Sequence, residues 1–452
     1  MKPVSLTIDD YVPQSMKGLV IAAGQGMRLR GQAQAKPLVS LLGVPLIERV
    51  VRSALEGGVD ELYVVTGYQG DKIAGFLSGL SQRLGFPLTI LQNDEWQEEN
   101  GLSVLTARGL IEGPFLLMMA DHLCDPLNIR TLREQEIVDG QVLLAVDTDV
   151  GSPLVDMADA TKVRVEDGLI RDIGKSISDF SCFDTGLFLC TPAIFAAIEH
   201  ACCHDHDTTL SAAVRLLARD GRAKAVEVQG YWVDVDDKHA HRKAERTLLA
   251  SSRGKVNDGP VSRWVNRPIS TRLCKMLVEW NVTPNQLSVV SFVLAAIAAA
   301  LFALGTYGYL VLGGALAQLA SIIDGVDGEI ARLKYLSSDY GRWLDAVLDR
   351  YADALLLGAL TWYAYGVRGS PWVFGVGLAA IVGSFMVSYT ADKYDALMKD
   401  RAEKGVRIGR DVRLALIFVG ALVNQVFWLL VVIAVVMNVE AVRRIVVCRD
   451  DG

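Results

Sequence analysis

The sequence is short of most features that mark exported, repetitive or nucleic-acid-binding proteins. Its opening residues, Met1 to Gln14, hold no apolar run behind a basic start, so no cleaved export signal is expected. Its seven cysteines (Cys124, Cys182, Cys190, Cys202, Cys203, Cys274 and Cys448) include no C-x2-C pair. That spacing argues against a zinc ribbon or disulfide framework and for reduced thiols in a cytosol-facing protein. There is no internal repeat and no low-complexity tract. A formal net charge of −7 leaves no basic surplus to attract nucleic acid. The run Cys202, Cys203, His204, Asp205, His206 offers metal-ligating side chains but reads as a polar loop.

What is present is divided unevenly. A chain of 452 residues should hold two or more domains. Residues 1–250 alternate apolar and charged residues like a soluble α/β protein, whereas residues 285–452 carry long apolar runs broken by short basic loops. Between them, residues 251–284 form a linker and a segment in which Arg263, Arg267, Arg272 and Lys275 alternate with Trp264, Val265, Ile269, Leu273 and Leu277. Such a segment is expected to be a helix lying in the membrane interface. The expected fold is therefore a Rossmann-like α/β domain followed by an all-α domain of six transmembrane helices.

In the first half, Lys17 to Ala23 reads as a buried strand, and Gly24, Gln25, Gly26, Met27, Arg28 as a glycine-rich turn whose backbone can approach phosphate oxygens. Arg28 and Lys36 add positive charge for a triphosphate. A strand at Glu61 to Tyr68 and another ending at Asp121 alternate with helical stretches, which argues for an open, mainly parallel sheet with ligands at the strands' carboxyl ends. Together these residues resemble the sugar-phosphate nucleotidyltransferase family over roughly residues 17–245. The resemblance implies a nucleotide triphosphate loop at Gly24, Gly26, Arg28 and Lys36, and a nucleotide-contacting turn at Asn100 and Gly101. It implies metal aspartates at Asp121 and in the pair Asp234 and Asp236, with Asp236 favoured. It also implies sugar-phosphate contacts at Lys175 and around Asp184, Thr185 and Gly186. His122 reads as structural. A degenerate domain kept as a scaffold is the bland alternative.

In the second half, Thr283, Pro284 and Asn285 open the first of six expected spans, near residues 285–304, 307–332, 341–366, 371–396, 411–423 and 425–445. The loops after the first, third and fifth spans hold a single Lys or Arg, Arg368; the other side holds Arg332, Lys334, Arg342, Lys393, Arg410, Arg413 and several more. The positive-inside rule then places both termini, the soluble half and the acidic stretch below on the cytoplasmic side of the cell membrane.

That stretch is Asp324 to Asp349. Asp324, Asp327, Gly328 and Ala331 fall at i, i+3, i+4 and i+7, so one helix face carries two acids and two small residues. Gly341, Asp345 and Asp349 repeat every fourth residue on a second helix. Facing carboxylates repel unless cations lie between them, and an all-oxygen ligand set suits Mg²⁺, Mn²⁺ or Ca²⁺ rather than zinc. The pattern D-x2-D-G-x2-A-R-x8-G-x3-D-x3-D resembles the CDP-alcohol phosphotransferase signature at every fixed position. The resemblance implies two divalent ions on Asp324, Asp327, Asp345 and Asp349, with Asp349 as general base for an attacking hydroxyl. It implies a nucleotide cradle including Gly328, Ala331, Arg332 and Gly341, and an acceptor-phosphate site among Lys393, Arg410 and Arg413. Asp353 reads as a polar residue on the same helix face.

The fusion, with its motifs DGPVSRWVNRPIS, TPN and DIGKSI, resembles a family of two-step inositol phosphate enzymes. That resemblance implies CTP and inositol 1-phosphate as substrates, CDP-inositol between the steps, Mg²⁺ or Mn²⁺ in both sites, a lipid bilayer around the second half and a homodimer. Two other readings remain at this point. One is a phospholipid synthase that uses CDP-diacylglycerol and an inactive first domain. The other is an ion-binding transporter, whose acids would lie at the bilayer midplane.

Overall fold

The computed structural model describes residues 15–26, 35–151, 157, 159–252, 261–397 and 409–448. The chain divides into two compact units, residues 1–247 and 248–452.

The first unit contains strands β1 (Lys17–Ala22), β2 (Ser40–Leu41), β3 (Val44–Pro45), β4 (Glu61–Thr66), β5 (Leu88–Gln92), β6 (Phe115–Met119) and β7 (His122–Cys124). These are followed by β8 (Val142–Asp147), β9 (Lys162–Glu166), β10 (Leu169–Gly174), β11 (Cys182–Cys190), β12 (Ala223–Glu227) and β13 (Trp232–Asp234). Its helices are α1 (Leu46–Glu56), α2 (Gly70–Leu84), α3 (Asn100–Leu105), α4 (Pro126–Arg133), α5 (Ala193–His200) and α6 (Leu210–Arg219), with α7 (Lys238–Ser252) at its end.

Nine strands form one sheet in the order β5-β4-β1-β6-β11-β8-β12-β10-β9. The strands β5, β4, β1 and β6 are parallel, as their apolar runs predict. Beyond β6 the sheet is mixed: β11 runs antiparallel to both neighbours. The expected mainly parallel sheet is thus found only on one side. Alternation along β1 explains why the strand reads as uninterrupted apolar sequence. Leu19 and Ile21 enter one core with Phe115, Leu117, Phe195 and Leu217; Val20 and Ala22 enter the other with Val64, Met118, Val50 and Leu77. Both faces are covered by helices, so the catalytic residues can gather only at the strand ends.

The second unit is helical: α8 (Arg267–Leu277), α9 (Pro284–Ala303), α10 (Tyr307–Leu333), α11 (Asp339–Arg368), α12 (Trp372–Tyr389), α13 (Ala391–Leu397), α14 (Arg410–Leu422) and α15 (Val426–Val447). A capping box fixes the start of α9: the Thr283 side chain accepts from the Gln286 amide, and Gln286 accepts from the Thr283 amide. The core is built on small residues, with Ala295, Ala298, Ala317, Ala320 and Ala421 packed among Phe302, Leu356, Ile417 and Ile433. At Gly313 a Cβ would meet the Phe302 ring and the Ala298 carbonyl oxygen, so α9 and α10 approach as closely as backbones allow.

Four of these helices, α9, α10, α12 and α15, are long and apolar enough to cross a membrane. The helix α11 has the length, but its first half carries the acids, and α14 has only 13 residues. Apolar side chains point outward as well as inward: Val289, Val293 and Ile297 on α9, and Val435, Val439 and Val442 on α15, are exposed. Trp264, Ile269, Met276 and Trp280 are exposed on and beside α8, as expected of a helix with one apolar face.

Candidate active sites

Among the described residues, ionisable ligand side chains gather closely enough to share an ion in two places, one in each unit.

In the first unit the place is made by a strand ribbon. Strand β13 pairs antiparallel with β7, and its register sets Asp234 opposite His122. The Val235 amide donates to the Asp121 carbonyl at 2.9 Å, which locks the ribbon at the end of β6. Asp121, His122 and Asp234 thereby converge, with His122 Nε2 3.5 Å from Asp234 and 3.9 Å from Asp121. The sequence favoured Asp236 as the second acid. The structure brings Asp234 into the group instead, because the two-residue step along a strand end leaves Asp236 farther along the rim. Asp236 lines the same cleft.

Lys36 donates to Asp121 Oδ2 at 2.7 Å. Burial alone would lower the Lys36 pKa, but Asp121, Asp234 and Asp236 outweigh it and raise it. Burial likewise opposes the charge on Asp121, yet Lys36 and His122 hold its carboxyl down to about 2. His122 is buried, which disfavours its charged form, but Asp234 and Asp121 raise it to about 10. Gly26 has φ +60°, and a Cβ there would run into the Lys36 side chain. The glycine is thus required for the passage of the lysine as well as for the turn. Gly24 is exposed, with open space where a side chain would go. Arg28 lies outside the described residues.

Beside these groups opens a cleft of about 480 Å³ lined by His122, Lys175, Asp184, Trp232, Asp234 and Asp236, among others. Lys175 is held by Asp159 at 2.6 Å. Asp184 lies deep in the cleft; burial raises its carboxyl to about 6, offset only in part by the Gly186 amide that donates to it at 2.7 Å. Asn100 lines the cleft, and its Oδ1 accepts from the Leu210 amide. Gly101 is not among the residues lining the cleft: its amide donates to Thr208 O at 3.0 Å, and that same carbonyl blocks any side chain. A cleft with five aspartates and few cations, serving anionic substrates, fits added divalent cations.

In the second unit, Asp324 on α10 and Asp345 and Asp349 on α11 come within sharing distance of one ion. The tight turn after α10, with Tyr335 at φ +55°, folds the two acidic faces together. Asp327 stands slightly apart and accepts from Ser288 on α9 at 2.5 Å. The donor set is entirely carboxylate and fits Mg²⁺ or Mn²⁺. Asp324, Asp327 and Asp345 border a cleft of about 640 Å³ whose wall includes Gly328, Ala331, Arg332 and Gly341, and Asp349 joins them through the shared acid group. Arg332 is steadied by the Ser252 carbonyl at 3.0 Å.

The three cations expected to hold a phosphate separate. Arg410, the first residue of α14, enters the acid group, 2.9 Å from Asp324 and 2.5 Å from Asp349. Arg413, one turn on, is buried against Asp353 at 2.8 Å and also donates to Ser384 O. Lys393 lies outside the cleft, donating to the Tyr389 hydroxyl at 3.0 Å. Three residues along a helix rotate the side chain by about 300°, and that offset sends Arg413 to the core while Arg410 faces the acids. The sequence did not single out Ser288, and it assigned Arg267 to the interfacial segment rather than to the site; Arg267 lines the cleft from α8 and donates to the fully buried Glu329 at 2.9 Å.

Comparison with known proteins agrees with the division into two units. A family model described as CDP-alcohol phosphatidyltransferase matches residues 281–442, and one described as MobA-like NTP transferase domain matches residues 18–217. A bifunctional IPC transferase and DIPP synthase of Rubrobacter xylanophilus is 36% identical over 431 residues, covering 94% of this chain and 95% of its own. A protein of the same name from Aquifex aeolicus is 32% identical over 440 residues, covering 94% and 96%. The solved inositol-1-phosphate CTP transferase of T. maritima is 24% identical, with a TM-score of 0.47, covering 53% of this chain and 98% of that one.

Proposed function

The chain belongs to the family of bifunctional IPC transferase and DIPP synthases, and from that premise we propose a two-step synthesis on one polypeptide. In the first unit, a phosphate oxygen of inositol 1-phosphate attacks the α-phosphorus of CTP; CDP-inositol forms and pyrophosphate leaves. The substrate phosphate is already ionised, so the step needs charge neutralisation more than a base. Lys36 and Lys175 supply part of it, and Arg28 belongs to the same triphosphate loop.

In the second unit, the hydroxyl of a second inositol 1-phosphate attacks the inositol-bearing phosphorus of CDP-inositol. Asp349 takes the hydroxyl proton, the bond to CMP breaks, and a phosphorylated di-inositol phosphodiester is released. Divalent ions held by Asp324, Asp345 and Asp349, with Asp327 beside them, would bind the pyrophosphate and stabilise the departing CMP. Gly328, Ala331, Arg332 and Gly341 shape the nucleotide side. With Lys393 outside the cleft and Arg413 buried, the acceptor phosphate falls to Arg410 and Arg267.

The observation that carries this reading is the meeting of the α10 and α11 acids at one cleft. We place six helices, the four long apolar ones together with α11 and the shorter α14, across a cell membrane, with both termini and both sites on the cytoplasmic side. The basic loops support that side, and the family resemblance supports a homodimer. Residues 1–250 would act as the cytidylyltransferase, 251–284 as linker and interfacial helix, and 285–452 as the phosphotransferase. Purified protein given CTP and inositol 1-phosphate should release pyrophosphate first and CMP second. Asp121→Ala should stop pyrophosphate release while leaving CMP release from supplied CDP-inositol intact; loss of both would refute two independent sites.

A further inference from the structure

We propose that His122 is a direct metal ligand of the cytidylyl site, so that this site binds its divalent ion through one nitrogen and two carboxylates. The inference rests on the reading of the first unit as a metal-dependent cytidylyltransferase. It adds a donor to the aspartates implied by the sequence.

The ring is placed for that task from three sides. His122 Nδ1 lies 2.9 Å from Thr185 O. A carbonyl oxygen only accepts, so Nδ1 carries the hydrogen. This is the arrangement in which a ligating histidine is held by a backbone carbonyl through its distal nitrogen. Gly186, at φ +75°, has no side chain because the ring occupies its place. Trp232 closes the third side, its ring centroid 6.2 Å away.

The remaining nitrogen, Nε2, faces the two carboxylates at 3.5 and 3.9 Å, which favour a proton there in the metal-free site; the divalent ion would take that proton's place. Ligand atoms about 2.1 Å from one ion stand roughly 3–3.5 Å apart, so small side-chain adjustments complete the site. The carboxylate oxygens divide accordingly. Lys36 takes Asp121 Oδ2 at 2.7 Å, and Oδ1 is the oxygen nearer the ring. Asp234 Oδ2 also faces the ring, while its buried Oδ1 has no hydrogen-bond partner among the described residues. The antiparallel register of β7 and β13 makes this convergence a property of the backbone.

One imidazole distinguishes the two sites chemically. The membrane unit offers carboxylates alone, which suit Mg²⁺. A nitrogen donor shifts preference toward Mn²⁺ and Co²⁺.

The test is pulsed electron paramagnetic resonance on the full-length protein loaded with Mn²⁺. Wild type should show the ¹⁴N coupling of a directly bound imidazole, and Asp121→Ala should abolish it. His122→Gln should lose the coupling and weaken Mn²⁺ binding about tenfold or more, while the Mn²⁺ signal of the membrane unit is unchanged. Wild-type protein that binds Mn²⁺ in an Asp121-dependent way without ¹⁴N coupling would overturn the proposal and leave the cytidylyltransferase reading standing. No Asp121-dependent Mn²⁺ at all would count against both. The wild-type spectrum decides the matter even if the variant folds poorly.

Discussion

Arg413 and Asp353 face each other inside the helical unit, Nη2 2.8 Å from Oδ2, with 2% and 4% of their side chains exposed. A guanidinium so enclosed is committed to its carboxylate, whatever its place in a basic stretch of sequence. Removing Asp353 strands the guanidinium, at a cost of about 3–5 kcal/mol. Removing Arg413 leaves Asp353 with the longer contacts to Arg410 at 3.5 Å and Arg350 at 3.9 Å. Arg413→Ala should therefore lower the thermal midpoint and yield of detergent-purified protein sharply, with Asp353→Ala/Arg413→Ala recovering part of the loss. A variant of normal stability but raised KM for the acceptor would return Arg413 to the substrate site.

Asp349 meets Arg410 at 2.5 Å and belongs to the shared acid group. As general base it is needed for bond formation more than for donor binding. Asp349→Asn should keep CDP-inositol binding, read by calorimetry, within a few-fold of wild type. CMP release should fall about 10²-fold or more. Normal release would refute the base assignment.

Gly26 can be tested through the residue it makes room for. Gly26→Ala places a methyl group where the Lys36 side chain runs and strains a backbone at φ +60°. Displacing one cation from a phosphate transfer site typically costs about 10²-fold in rate. Pyrophosphate release should drop on that order, while CMP release from supplied CDP-inositol stays within about twofold. Equal loss of both would mean that the substitution unfolds the chain.

The first unit should also carry a pH signature. Asp184 is raised from 3.8 to about 6, chiefly by burial. A carboxyl raised on folding is easier to accommodate protonated. Its penalty is absent below about pH 4, grows as pH rises toward 6 and is complete above it. The thermal midpoint of the metal-free protein should therefore contain a component that falls between about pH 4 and 6. Asp184→Asn should remove that component, and an unchanged slope would place the titration elsewhere.

Much of this architecture is readable from local pattern. The apolar run of β1, the i, i+3 acids of α10 and the i, i+4 acids of α11 each declare their element and their face. What escaped the sequence depends on pairings between distant segments. Asp234 rather than Asp236 meets Asp121 because two three-residue strands pair in one register, and nothing local marks that register. Arg413 looks like Arg410 in sequence, yet its angular offset on α14 sends it to the core. Glu329 and Arg267, 62 residues apart, become partners only through the packing of α8 on α10.

The space that Gly186 yields to the His122 ring ties together two positions far apart in the chain. The dependence runs one way: a side chain at 186 evicts the imidazole, whereas a smaller residue at 122 relieves only the crowding, because φ +75° still favours glycine there. Among related chains, a lineage that has lost the glycine at 186 should also have lost the histidine at 122, leaving a record in alignments of when that site changed its chemistry.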